Sequence, residues 1–265
     1  MPGVPILMYH SVRADPPPET RGLSVDPGMF AAQLGLLRER GFTPVPLSAL
    51  AGLRAAPGSG PYAGAAKPIC ITFDDGYADF HTEALPVLES FGYPATVFVT
   101  TGWLDDAGPD AAGRPLDAML TWAHVKEIVE HGVEVGAHSH SHPQLDQLPD
   151  GALHDELTRS RLLLEDRLQR PVTTMAYPYG YSSARVRRAV ARAGYSSAYV
   201  VANDVARERS GYTIPRLTVA RGTSLDTFGR IAEGTHGFFR EKALTKGYAL
   251  VRRSRYLYRK TTHHG

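Results

Sequence analysis

The sequence predicts an α/β protein whose parallel strands are closed, or nearly closed, into a β/α barrel. Three observations predict it. Short β-rich runs alternate with helix-like segments, as in a parallel sheet with crossover helices. The chain has 265 residues, enough for one large α/β domain or two small ones. Its candidate reactive residues Asp74, Asp75, His138, His142 and Tyr179 fall just after strand-like runs, and in such barrels the strand C-termini build the site.

Residues 5–10 read as a first strand. Asp26 followed by Pro27 is a strong helix start, a capping carboxylate with proline at the first helical position. That helix runs to about Arg40, and Gly41 ends it. Residues 56–67, rich in Gly, Pro and Ala, read as a loop. Residues 69–73 are a buried-type strand, and 78–91 a helix with Leu85, Leu88 and Phe91 at helical spacing. Residues 95–100 form another strand and 102–117 a long polar loop. Thr121 caps a helix to His131, and 133–137 is the next strand. A helix over 149–170 precedes a strand at 172–176. Residues 183–193 are helical, 196–201 and 213–219 are strands, and 225–233 and roughly 239–258 are the last helices. No repeat or low-complexity segment interrupts this pattern.

The hydrophobic and charged contents, 43% and 21%, are those of an ordinary globular chain. A net charge of +2 excludes bulk electrostatic binding of polyanions. Charge is uneven, however: between Arg240 and Lys260 eight basic residues face Glu241 alone. Residues 1–235 are expected to form the barrel, and 236–265 a basic helical extension packed on or beside it. Leu244, Tyr248 and Val251 lie at helical spacing within that extension. Its basic face is either simply solvated or a peripheral contact with an anionic membrane; nucleic-acid binding has no further support. The single cysteine, Cys70, allows no intrachain disulfide and belongs to a buried strand. The N-terminus has no basic n-region or signal-length apolar stretch, and no run approaches the ~18 apolar residues of a membrane span. The expectation is a cytoplasmic protein.

Two motifs carry the chemistry. Asp74 and Asp75 close the run Ile71-Thr72-Phe73-Asp74-Asp75-Gly76. Neighbouring side chains on an extended backbone point to opposite sides, but a turn at Gly76 lets both reach one cavity. One carboxylate can then bind a metal while the other stays free as a base. His138 and His142 in Gly136-Ala137-His138-Ser139-His140-Ser141-His142-Pro143 are four apart, a spacing that suits two ligands, with His140 pointing elsewhere. Two imidazoles and one carboxylate leave positions open for water and substrate. Non-haem iron(II) oxygenases share this ligand set, but their carboxylate lies close to the first histidine. Here it lies far upstream beside a second Asp, which favours hydrolysis.

Together these residues resemble the polysaccharide deacetylases, carbohydrate esterase family 4, with its NodB-type domain. The resemblance rests on Thr72-Phe73-Asp74-Asp75-Gly76, His138-Ser139-x-x-His142 and Tyr177-Pro178-Tyr179-Gly180, supported by Leu120-Thr121-Trp122 and Ile214-Pro215-Arg216. It covers roughly residues 4–220. It implies a distorted (β/α) barrel of about seven strands. It also implies Asp74 as catalytic base, Asp75, His138 and His142 as ligands of a divalent metal, zinc by expectation, and the Tyr179 N–H as an oxyanion donor. Most members carry their acid histidine in a C-terminal Leu-x-His, which is absent after residue 220. The opening Pro5-Ile6-Leu7-Met8-Tyr9-His10-Ser11-Val12 instead resembles the circularly permuted branch, which assigns the acid to His10, with His236 as runner-up. The third-motif arginine is replaced by Ala176, and Arg216 is the candidate to supply that charge to Asp74. Asp204 is a weak candidate to pair with the acid histidine. Tyr77, Trp103, Pro178 and Tyr181 are candidates to line the substrate groove, whereas Trp122 belongs in the core.

The resemblance thus implies a metal-dependent hydrolase that removes N-acetyl groups from an N-acetylhexosamine-containing glycan or glycan precursor. Alternatives are a deformylase or imidase on a non-polysaccharide amide, and a carbohydrate-binding barrel that has lost catalysis.

Overall fold

Seven parallel strands close on one another in the computed structural model, which describes residues 3–55, 62–205 and 211–237. The strands are β1 (Ile6–Tyr9), β2 (Ser11–Val12), β3 (Ser24–Val25), β4 (Thr43–Pro44), β5 (Pro68–Phe73), β6 (Thr96–Val99), β7 (Glu134–Ala137), β8 (Thr174–Ala176), β9 (Ser197–Val201) and β10 (Ile214–Thr218). The helices are α1 (Pro27–Glu39), α2 (Ala49–Ala55), α3 (Leu85–Phe91), α4 (Trp122–Glu130), α5 (Asp150–Leu168), α6 (Ala184–Arg192) and α7 (Leu225–Ala232). Strands β5 to β10 neighbour one another in chain order, and β1 pairs with both β10 and β5 to close the ring. The short β4 adds to the start of β5, and β2 and β3 form a separate parallel pair.

The helices start where side chains can satisfy their free N–H groups. Asp26 accepts from Gly28 and Met29 ahead of α1, and Pro27 occupies its first turn. Thr121, Ser183 and Ser224 cap α4, α6 and α7 in the same way. Each helix lays an apolar stripe on the barrel. On α1 this is Phe30, Leu34 and Leu37, and on α5 Leu153, Leu157 and Leu164. Full burial of each such side chain stabilises by about 1.5–3 kcal/mol. The helix expected over 78–91 is real but begins as a π turn (Phe80–Ala84) before α3 takes over. The expected loop at 102–117 contains short 3-10 turns at Thr101–Trp103 and Gly108–Asp110.

Strand alternation sorts the core into two layers. Leu7, Tyr9, Ile69, Ile71, Phe73, Val97 and Val99 pack outward with the helices. Ile6, Cys70, Phe98, Ala176, Tyr199 and Ile214 form the inner cluster, joined by Val45 and Leu47 between β4 and α2 and by Leu50 on α2. The even-numbered inner positions of β1, β5 and β10, continued along each strand, arrive at His10, Asp74 and Arg216. Among the described residues no helix is long and apolar enough to cross a membrane. The expected helix over 239–258, its membrane contact, and most of the 236–265 extension lie outside the described residues.

Candidate active site

The register of β1 against β5 sets the first contact of the site. Tyr9 is paired with Phe73, and the Asp74 N–H donates to the Tyr9 carbonyl at 3.0 Å. His10 and Asp74 therefore leave adjacent strands at the same rim. Arg216 on β10 reaches the same place from the other side of β1. It is fully buried, and its Nη1 and Nη2 donate to the two Asp74 carboxylate oxygens at 2.5 and 2.6 Å. Nη1 also lies 3.3 Å from Thr72 Oγ1, and the guanidinium carbon 5.3 Å from the Phe98 ring centroid. The charge missing at Ala176 is thus supplied by Arg216.

Asp75 turns the other way because its φ is +73°, followed by Gly76 at +90°. A left-handed pair of residues swings the second carboxylate into the cavity beside the first. Asp75 Oδ1 lies 3.3 Å from His138 Nε2 and 3.2 Å from His142 Nε2. Asp75 is buried, and this Oδ1 has no hydrogen-bond partner among the described residues. His138 Nδ1 lies 2.9 Å from the Ala176 carbonyl, and since a carbonyl only accepts, Nδ1 carries a proton, which in the neutral ring leaves Nε2 its lone pair. Asp75 Oδ1, His138 Nε2 and His142 Nε2 thus converge within 4.8 Å of one another. Tetrahedral zinc with bonds of about 2.05 Å separates its ligands by about 3.4 Å, close to both distances. The residues fit a divalent metal.

The histidine loop is shaped by groups remote in sequence. Glu156 on α5 accepts from the His140 and Ser141 N–H groups, both at 2.9 Å, and from Ser141 Oγ at 2.5 Å. Ser139 Oγ accepts from the His142 N–H at 3.0 Å. Ser139 and His142 both have positive φ, +65° and +60°. His140 points away as expected, its Nδ1 2.9 Å from Thr101 Oγ1.

Tyr179 completes the rim. Its φ is +58°, and the turn holds because Gly180, at +71°, carries no Cβ; one placed there would sit 2.5 Å from Val201 Cβ. The Tyr179 ring packs edge-on against His142 at 4.7 Å and stacks on Tyr181 at 5.8 Å. It is 51% exposed, which puts it at the mouth. Pro178 is buried beneath it. Of six non-glycine residues with positive φ among those described, four (Asp75, Ser139, His142, Tyr179) belong to the motifs, the clustering expected of a functional site.

Other expectations are corrected. Trp103 does not stand in a groove: it is buried in the Thr101–Trp103 turn with Tyr77 and Met119, its ring 4.7 Å from His142. It shapes a ligand's wall instead. Tyr77 is likewise buried, its hydroxyl without a partner among the described residues. Trp122 is in the core as expected. His236 follows α7 at the opposite end of the barrel, where Glu233 lies 3.9 Å from Arg40 and Lys67 ahead of β5. It is far from Asp74, so His10 alone joins the site. Asp204 accepts from the adjacent Val205 N–H in a local turn. Glu156 and the Ala176 carbonyl went unforeseen, since neither carries a sequence signal.

Electrostatics follow the pairing. Burial would raise the Asp74 carboxyl, but the Arg216 guanidinium, together with His138 and His10, holds it below its ordinary range. Burial likewise opposes ionisation of Asp75, and contact with His138 and His142 overcomes it. At half-buried His10, burial lowers the imidazolium pKa while Asp75 and Asp74 pull it up, with a net lowering.

The polysaccharide deacetylase family model matches residues 62–198, and the chain belongs to that family. The Bacillus subtilis protein YxkH, itself assigned to the polysaccharide deacetylases, is 28% identical over 87% of this chain and 76% of its own length. The poly-β-1,6-N-acetyl-D-glucosamine N-deacetylase of Escherichia coli K12 is 24% identical over 86% of this chain, which spans 38% of that enzyme. Among solved structures, Streptococcus pyogenes deacetylase PplD in complex with acetate superposes with a TM-score of 0.76 at 24% identity, covering 89% of this chain and 99% of that one. IcaB from Ammonifex degensii gives 0.71 at 23%, covering 87% and 97%. These likenesses establish the NodB-type barrel.

Proposed function

We propose that this chain is a zinc-dependent N-deacetylase that removes N-acetyl groups from an N-acetylhexosamine-containing glycan or glycan precursor. One observation carries the reading: Asp75 Oδ1 stands 3.2 and 3.3 Å from two histidine Nε2 atoms, while its neighbour Asp74 is held apart by Arg216. Relatives named for poly-β-1,6-N-acetyl-D-glucosamine support the substrate class.

Asp75, His138 and His142 would hold a divalent metal, which would supply Lewis acidity and a water nucleophile at neutral pH. Asp74, kept ionised by Arg216, takes a proton from the attacking water as general base. The Tyr179 N–H donates to the developing oxyanion, a contribution typically worth about 3 kcal/mol of barrier. Protonated His10 gives its proton to the departing nitrogen, because an amide nitrogen is a very poor leaving group without one. The products are acetate and a hexosamine-type amine. The reading of a barrel that has lost catalysis rests on the missing third-motif arginine, and the Arg216–Asp74 pair removes that ground.

The test is acetate release from N-acetylglucosamine oligomers and from a lipid-linked or nucleotide-linked N-acetyl sugar, using zinc-loaded protein. Asp74→Asn is expected to keep the metal and lose turnover; His138→Ala is expected to lose both. Absence of release from every N-acetyl sugar, with metal bound, would move the assignment to a different amide.

A further inference from the structure

Asp79 is a buried carboxyl that no step above uses. It follows Asp75 by four residues and is 8% exposed. Its Oδ2 accepts from Ser11 Oγ at 2.5 Å, and its Oδ1 accepts from the Val12 N–H at 3.2 Å. Ser11 Oγ also meets Ser24 Oγ at 2.7 Å, and these two serines are register partners in the β2–β3 pair. Both are fully buried.

Ser11 directly follows His10. The barrel ladder fixes the chain up to Tyr9, but beyond it the exit of β1 is held only by what grips the next residues. The two-residue β2 has one short partner. Asp79 adds a two-point clamp on Ser11 and Val12, and it does so from the same segment that carries Asp74 and Asp75.

We propose that Asp79 is a positioning residue for His10, locking the proton donor to the Asp74–Asp75 segment through Ser11 and Val12. This rests on the reading of His10 as the acid. The clamp works in either charge state. Ionised, Asp79 accepts from both groups. Neutral, it donates to Ser11 Oγ, whose hydroxyl passes to Ser24 and from there to the Thr20 carbonyl at 3.2 Å. The charged groups facing it are Arg13 and Asp117, which pair with each other at 2.9 Å. An asparagine can likewise accept from Val12 and donate to Ser11; an alanine can do neither.

A donor that protonates the leaving group matters for an amine and not for an aryloxide, which departs unaided. The experiment therefore compares acetate release from an N-acetylglucosamine oligomer with hydrolysis of 4-nitrophenyl acetate, in zinc-loaded Asp79→Ala, Asp79→Asn, Ser11→Ala and His10→Ala. Asp79→Ala is expected to lose amide turnover on the order of 10²-fold, in kcat rather than KM. Its ester hydrolysis and metal content should stay near wild type. Asp79→Asn should restore most of the amide turnover, and Ser11→Ala should show the same amide-selective loss to a smaller degree. Equal loss of amide and ester turnover in Asp79→Ala, or loss of neither, would overturn the proposal. If Asp79→Ala does not fold, Ser11→Ala decides, and its full amide turnover would overturn it too. His10→Ala separates the two readings: undiminished amide turnover there refutes the acid assignment, whereas a loss there that the Asp79 and Ser11 variants do not share refutes the clamp.

Discussion

Arg216→Met is the most informative single perturbation of this molecule. The guanidinium is wholly buried, makes a bidentate pair with Asp74 and spans Thr72 Oγ1 and the Phe98 ring. Methionine fills much of the same space without charge, so the change removes the partner and leaves little cavity. Asp74 is then a buried carboxylate without compensation. Breaking a buried pair from one side destabilises by about 3–5 kcal/mol. For a chain of this size that is a fall in melting temperature of roughly 6–20 °C. Replacing both partners by apolar groups should return much of the loss, so the cycle of Arg216→Met, Asp74→Leu and the double variant should show coupling of at least about 2 kcal/mol. The assay is urea unfolding of chelator-treated proteins, in which the metal's own charge does not enter. If Arg216→Met lies within about 1 kcal/mol of wild type, the guanidinium is not neutralising a buried carboxylate, and the account of Asp74 as an ionised base is wrong.

Other outcomes follow from particular contacts. Glu156→Ala frees two N–H groups and a hydroxyl of the histidine loop, and zinc affinity measured by competition with a chromogenic chelator should fall about 10–100-fold with the ligands themselves intact. Gly180→Ala forces a Cβ to within 2.5 Å of Val201 Cβ at φ +71°. It should destabilise by on the order of 1–3 kcal/mol and depress kcat by displacing Tyr179, and a normal melting curve would speak against that turn being fixed. Asp79 is pushed up to about 6 by burial. The folded state therefore favours its neutral form, and its contribution to stability is present below about pH 4 and lost as pH rises through about 6. The full difference is about 3 kcal/mol, so between pH 4 and 7 metal-free wild type should lose about 2 kcal/mol more stability than Asp79→Asn. Parallel pH profiles for the two would contradict it.

The strands and caps were legible because each depends on a handful of adjacent residues. Asp26-Pro27 and Thr121 announced their helices, and the apolar runs ending at Phe73, Val99 and Ala137 announced the strands. Arg216 could be guessed at because a missing charge at Ala176 demanded a replacement, and the N-terminal Tyr9-His10 offered a histidine where none followed residue 220. What stayed hidden is long-range or conformational. Glu156 is sixteen residues from His140 and looks like any polar helix residue. Ala176 acts through its carbonyl, which every residue has. The place of Trp103 is not legible because a short 3-10 turn folds its ring inward onto His142, and nothing in the polar run around it encodes that turn. The positive φ angles of Asp75, Ser139, His142 and Tyr179 fall on residues that are not glycine, so composition could not flag them.

The pairing of β1 with both β5 and β10 reaches beyond geometry, into the life of the chain as it is made. Leu7 must find Ile71 early and Leu217 late, and long-range closures of this kind are slow. During synthesis, the segments bearing Asp75, His138 and His142 are all present before β10 emerges with Arg216. Until then Asp74 lacks its counter-charge and the first strand lacks one neighbour, so His10 is not yet seated. Turnover therefore requires the final strand, and the same hydrogen bonds that seal the ring arm the site. An unfinished or N-terminally clipped chain should bind metal more readily than it hydrolyses anything, which makes activity per bound metal a direct gauge of how many molecules have closed.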